Sequence, residues 1–92
     1  MKKVIFGKQY KKDFKRFRNQ PEKVKKLMEI IRMLECEIPL PKELNPHKLT
    51  GNYNGFMECH IGGDLLLIWI DKDVIKIYRF GSHSELFKNK KR

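Results

Sequence analysis

Six consecutive apolar residues, Leu65-Leu66-Leu67-Ile68-Trp69-Ile70, constrain this chain more than any other feature. Gly62-Gly63 precedes them and Asp71-Lys72-Asp73 follows, so turn residues close the run at both ends. It is far shorter than the roughly 20 residues that span a bilayer. A run of this length and content reads as a central strand buried on both faces. With 92 residues the chain can build one core and not two, so the remaining segments must cover this strand.

The neighbouring segments supply the cover. Val4-Ile5-Phe6 reads as a short first strand. Tyr10, Phe14 and Phe17 recur at i, i+4 and i+7, one face of a helix, with Lys8, Lys11, Lys12 and Lys15 largely on another. Pro21 suits the first turn of a second helix and Glu22 its positive end. Val24, Leu27, Ile31 and Leu34 continue at helical spacing, and Pro39 and Pro41 are expected to stop that helix. A loop is expected from about Pro39 to Leu49. Strands follow over Gly55 to Ile61, Leu65 to Ile70 and Val74 to Phe80. Ser82-His83-Ser84-Glu85 has the S-x-x-E spacing of a capping box, so a short C-terminal helical turn is expected. The order β-α-α-β-β-β implies a single α+β domain, residues 1–87, with an antiparallel sheet and two helices on one face. Residues 88–92 form a basic tail.

Charge narrows the partners. The chain carries 21 Lys+Arg and 11 Asp+Glu, a net +10. Residues 1–32 hold +9, residues 33–87 hold −3 and the tail holds +4. Such a field favours polyanions, nucleic acid above all, or an acidic protein. The N-terminus lacks the apolar stretch of a signal peptide because Lys8 interrupts it, so a cytoplasmic location with no membrane insertion is expected. Cys36 and Cys59 form no C-x-x-C pair and their spacing demands no disulfide.

Three histidines, His47, His60 and His83, each fall at an expected element end, where functional side chains concentrate. Imidazole takes and gives protons near neutral pH. Glu58 and Asp64 lie close to His60 in sequence. Glu58 and His60 share a face by the two-residue period of a strand. The turn decides Asp64. A two-residue Gly62-Gly63 hairpin sets His60 against Leu65 with Asp64 pointing away. A three-residue loop with Gly63 at positive φ pairs His60 with Asp64, the arrangement catalysis prefers. No H-x-x-x-H or H-x-H spacing supports a metal site, and no cofactor is expected.

Three segments in this order carry a resemblance: His47-Lys48-Leu49-Thr50-Gly51; Glu58-Cys59-His60-Ile61 with Asp64; and Arg79-Phe80-Gly81-Ser82-His83-Ser84-Glu85-Leu86-Phe87. Together they resemble the YafQ branch of the RelE toxin superfamily over nearly the whole chain. The resemblance implies a type II toxin that cleaves mRNA in the ribosomal A site and halts translation. A cognate antitoxin would neutralise it in a hetero-oligomer, with the toxin alone monomeric. It implies a catalytic set at His47, His60, Asp64 and His83. Glu58 stands where the family often has Asp, Phe87 matches an aromatic that helps position a base, and Arg79 matches a basic position on the last strand. The chemistry such a set would perform needs no metal. His83 is the expected general acid, His60 or His47 the base, with Asp64 orienting an imidazole or taking the proton itself. Arg79 would contact the scissile phosphate, leaving a 2′,3′-cyclic phosphate and a 5′-hydroxyl. Lys11, Lys12, Lys15, Arg16, Lys23, Lys25 and Lys26 are then expected to grip ribosomal RNA or an acidic antitoxin. Two alternatives stand beside this reading: a ParE-like toxin without nuclease chemistry, and a basic RNA-binding module without catalysis.

Overall fold

A computed structural model describes residues 1–87. The basic tail 88–92 lies outside the described residues. In chain order the elements are β1 (Val4–Phe6), α1 (Lys8–Phe17), α2 (Pro21–Glu35), β2 (His47–Lys48), β3 (Met57–Gly62), β4 (Leu65–Asp71), β5 (Ile75–Ser82) and α3 (His83–Phe87). Two 3₁₀ turns, Lys42–Leu44 and Gly51–Tyr53, flank β2.

The strands form one sheet in the order β1-β5-β4-β3-β2. The apolar run sits at its centre as β4. Leu65, Leu67 and Trp69 pack under the helices with Cys59, Ile61, Ile75, Ile77 and Phe80. Leu66 and Ile68 face the other way, beneath Leu86, Leu49, Phe56, Tyr78 and Phe87. Leu66 is 1% exposed and Leu67 0%, so both faces are buried, as the continuous apolar run requires. Burying each such side chain contributes roughly 1.5–3 kcal/mol.

Several expectations are corrected. The sheet is mixed rather than wholly antiparallel, because β1 pairs in parallel with β5 at one edge. The chain passes through both helices and three strands before β5 returns beside it. A fifth strand, β2, lies inside the segment read as a loop, with His47 opposite Glu58 and Lys48 opposite Met57. Its two residues are too few to show a period. The second helix ends at Glu35, ahead of the prolines. Glu37 takes φ +59°, its N–H donates to the Leu34 carbonyl at 3.1 Å, and the Ile38 N–H donates to Met33 at 2.9 Å. That pattern is a Schellman stop, built here without glycine. Gly7, before α1, is required by a close approach: its N–H donates to the Ile77 carbonyl at 2.9 Å, and a Cβ there would stand 3.0 Å from that oxygen.

The helix-side core is tied to the sheet by a buried carboxylate. Asp13 lies on the apolar face of α1 and is 3% exposed. β1 ends at Phe6, opposite Ile77, so among the described residues no strand lies beside the outer edge of β5 beyond that point. There the Phe80 N–H donates to Asp13 Oδ2 at 3.0 Å. Arg79 Nε donates to the same oxygen at 2.8 Å and Arg79 Nη2 to Oδ1 at 3.1 Å. The carboxylate thus replaces a missing strand and neutralises a part-buried guanidinium. The register of β5 slips at this place: Ile68 pairs with Arg79 and Trp69 with Ile77, leaving Tyr78 as the extra residue of a bulge. Asp13→Asn keeps the shape and removes the charge. It is expected to cost about 2–4 kcal/mol in urea unfolding. A loss below about 0.5 kcal/mol would show that Asp13 holds nothing.

Candidate functional site

The face of the sheet away from α1 and α2 gathers the histidines. On β3, Met57, Cys59 and Ile61 join the helix-side core, so Glu58 and His60 point to the opposite face by alternation. Register then sets two rows across the sheet. Glu58 pairs with Ile68 and Ile68 with Arg79; His60 pairs with Leu66 and Leu66 with Gly81. His47, on β2, lies opposite Glu58.

His47 is clamped at both ring nitrogens. Nδ1 is 2.7 Å from the Asn45 carbonyl, and Nε2 is 2.9 Å from Glu58 Oε1. A carbonyl only accepts, so Nδ1 carries the proton of that bond, and the Nε2 contact needs a second proton between ring and carboxyl. Glu58 is 6% exposed and belongs to this pair. The His47 and His60 rings lie 6.2 Å apart by their centroids. His47, Glu58 and His60 therefore form one cluster. The Cys59 thiol, buried between them in sequence but facing the core, is pushed up to about 12 by its burial and secondarily by the Glu58 charge. It stays a thiol at neutral pH and is no nucleophile.

His83 stands on the other side of β4. It is exposed, begins α3, and donates its backbone N–H to the Asp64 carbonyl at 3.0 Å. The capping box forms as expected: the Ser82 N–H donates to Glu85 Oε1 at 3.0 Å and the Glu85 N–H to Ser82 Oγ at 3.2 Å. Phe87 packs against His83 with ring centroids 5.0 Å apart. Two strand spacings separate the His60 and Gly81 backbones, about 10 Å.

Asp64 takes neither of the two positions weighed above. Gly62 pairs with Leu65, so the turn is Gly63-Asp64, and His60 opposes Leu66. The register shift between His60 and Gly62 makes Ile61 a bulge. Gly63 does take a positive φ, +56°. Asp64 is exposed and lines a cleft with Glu22, Lys23 and Lys26 of α2. Its backbone, rather than its carboxylate, meets a histidine. Arg79 has Nε and Nη2 committed to Asp13, whose hydrogen bonds are the main cause holding its guanidinium more firmly protonated than usual.

The basic residues sit apart from this face. Lys11, Lys12 and Lys15 are exposed on α1, and Lys23, Lys25 and Lys26 on α2, both helices lying on the far side of the sheet. Arg16 differs, because its guanidinium meets Glu85 Oε2 at 2.6 Å. Lys23 donates to Gln20 Oε1 at 2.6 Å. Among the described residues no three His, Cys, Asp or Glu side chains are grouped closely enough to hold a metal ion.

A family model described as the bacterial toxin of type II toxin–antitoxin systems, YafQ, matches residues 2–88. The chain belongs to the YafQ toxin family. The mRNA interferase toxin YafQ of Escherichia coli strain K12 is 28% identical over 86 residues, 91% of this chain and 94% of that protein. A copper-bound mutant toxin from Helicobacter pylori shares 35% identity with a TM-score of 0.85, covering 95% of this chain and 100% of the other. The E. coli DinJ–YafQ toxin–antitoxin complex contains a chain with TM-score 0.84 and 28% identity, covering 94% of this chain and 97% of the other. The single α+β domain, with α1 and α2 on one face of a mostly antiparallel sheet, is therefore the YafQ architecture.

Two residues with defined partners escaped the sequence reading. Asp13 stands inside the apolar stripe, three residues after Tyr10 and four before Phe17, and an acid in that position signals a buried pair. Tyr53 lies in the Gly51–Gly55 loop and packs on Phe87 at 5.3 Å. Only its aromatic character near two glycines hinted at a fixed place.

The cap on α3 gives a pH-dependent outcome. The Glu85 carboxyl is held below the usual glutamate range, first by the Ser82 N–H and then with help from Arg16. Its folded value lies below its unfolded value, so its contribution is complete above about pH 4.3 and fades as pH falls through the folded value. Glu85 is part-exposed, so water screens the Arg16 charge. Glu85→Ala is expected to cost about 0.5–1 kcal/mol and to remove amide-exchange protection in residues 83–86 at neutral pH. Unchanged protection there would refute the cap.

Proposed function

We propose that the chain is a ribosome-dependent mRNA endoribonuclease that works by metal-free acid–base catalysis. RNA carries its own nucleophile. Cleavage requires removing the 2′-hydroxyl proton, steadying charge on the phosphorus, and protonating the departing 5′-oxygen. In-line displacement sets the attacking and leaving oxygens on opposite sides of phosphorus, so the base and the acid must approach from opposite sides. The observation that carries the reading is this layout: His60, beside the His47–Glu58 pair, on one flank of β4, and His83 on the other.

His60 is the better base. His47 has both nitrogens engaged, whereas His60 stands next to a pair that holds a proton and a carboxyl. His83 is the acid that protonates the 5′-oxygen. The products are a 2′,3′-cyclic phosphate and a 5′-hydroxyl. Asp64 acts through its backbone, anchoring the start of α3 and hence His83. Arg79 serves first as a tie to Asp13, and would meet the scissile phosphate only by leaving that carboxylate. Phe87, against His83, positions a base.

The lysines of α1 and α2 hold ribosomal RNA from the helix side while the opposite face meets the mRNA. Relatives named mRNA interferase toxin YafQ support the substrate class. The DinJ–YafQ toxin–antitoxin complex of E. coli supports a cognate antitoxin as partner. In this reading the antitoxin neutralises the toxin as a hetero-oligomer in the cytoplasm.

His83→Gln should lower cleavage of mRNA on translating ribosomes by roughly 10²–10⁴-fold. The variant should keep its circular dichroism, because the ring itself caps nothing. Full growth arrest with this variant would remove His83 from the mechanism. EDTA should leave the rate of the unmodified chain unchanged. Loss of activity with EDTA, restored by zinc, would replace the acid–base reading with a metal one.

A further inference from the structure

The segment between β2 and β3 carries an aromatic residue that the histidine set does not use. Tyr53 ends the 3₁₀ turn Gly51–Tyr53. The loop is closed by its own backbone. The Tyr53 N–H donates to the Thr50 carbonyl at 3.3 Å, Asn54 to Gly51 at 3.0 Å, Phe56 to Tyr53 at 3.0 Å and Leu49 to Phe56 at 2.9 Å. Gly51 at φ +66° and Gly55 at φ +99° permit the tight path, since both values are left-handed. Tyr53 is therefore presented from a fixed frame rather than a loose loop.

The ring it presents makes a corner. Tyr53 and Phe87 meet with centroids 5.3 Å apart and planes at 76°. Tyr53 meets Phe56 at 5.9 Å and 73°. Phe87 in turn lies 5.0 Å from His83. Tyr53 and Phe87 are each only half-buried. Two rings at near right angles accept a third planar ring well: it stacks on one and sets its edge on the face of the other. Leucine in place of Phe87 would cover Leu66, Ile68 and Leu86 but would give no such surface.

We propose that Tyr53 and Phe87 form a nucleobase-binding corner, in which Tyr53 is the positioning residue that seats an mRNA base beside His83. The proposal rests on the ribonuclease reading above, and adds Tyr53 to the base contact expected of Phe87. Stacking needs no base-edge hydrogen bond, so the corner tolerates every base.

The test uses the full chain and a short 2′-O-methyl RNA, which lacks the nucleophile and stays uncut. Fluorescence anisotropy compares the intact oligonucleotide with a series carrying one abasic position each. Tyr53→Leu keeps bulk against Phe87 and loses the ring; Tyr53→Trp restores a ring. Tyr53→Leu should bind the intact oligonucleotide about tenfold more weakly, the loss of one base stack. Tyr53→Trp should bind within about twofold of the unmodified chain. One abasic position should weaken the unmodified chain and leave Tyr53→Leu unaffected. Equal weakening of Tyr53→Leu toward every oligonucleotide, with a lowered Tm, would mean packing alone and overturn the proposal. So would unaltered binding with abasic sensitivity intact, or no binding by the unmodified chain. Mapping mRNA 5′ ends on translating ribosomes separates the two readings. If the unmodified chain leaves no cut ends, the ribonuclease reading fails while the abasic series still decides Tyr53. If Tyr53→Leu cuts the same sites at the same rate, the proposal alone fails.

Discussion

A central strand that is apolar on both faces must be covered twice, and in this chain the two covers are unequal. Two helices of ten and fifteen residues bury one face of β4. On the other, among the described residues, Leu66 and Ile68 are covered by the five-residue α3, the 49–56 loop and Tyr78 of β5. The short cover leaves room at its margins. His47, Glu58 and His60 stand at one margin, and His83 and Phe87 at the other. The hydrophobic requirement of one strand thus produces both the fold and the exposed face on which chemistry can occur.

Two buried carboxylates organise the two sides. Asp13 accepts from Arg79 and from the Phe80 N–H, joining α1 to the free edge of β5. Glu58 meets His47 and fixes the β2 end of the histidine cluster. Arg79 and Glu58 flank the same residue of β4, Ile68, so both acids act on one row of the sheet. A buried acid without a partner would be costly, and each of these has one. The tie at Asp13 also accounts for why Arg79, expected to meet a phosphate, is first a structural cation.

Much of this was legible in the residues. The alternation along β3 put Glu58 and His60 on one face, the apolar run marked β4, and the S-x-x-E spacing marked the start of α3. What was hidden depended on contacts distant along the chain. β2 is two residues long and exists only because β3 pairs with it. The parallel pairing of β1 follows from where β5 returns, which no local pattern encodes. The Ile61 bulge moved the turn to Gly63-Asp64, so Asp64 sits in the turn and not opposite His60. Glu37 ended α2 in a left-handed conformation that sequence preference assigns to glycine. Asp13 was visible as an acid in an apolar stripe, but its partner is 66 residues away.

The central claim is that histidines on opposite flanks of β4 cleave RNA through its own 2′-hydroxyl. The chemistry of the cut ends tests it most directly. Message cleaved on translating ribosomes should carry a 2′,3′-cyclic phosphate upstream and a 5′-hydroxyl downstream, so that the downstream fragment accepts label from polynucleotide kinase without prior phosphatase. Fragments ending in 3′-hydroxyl and 5′-phosphate, the signature of attack by water, would contradict it.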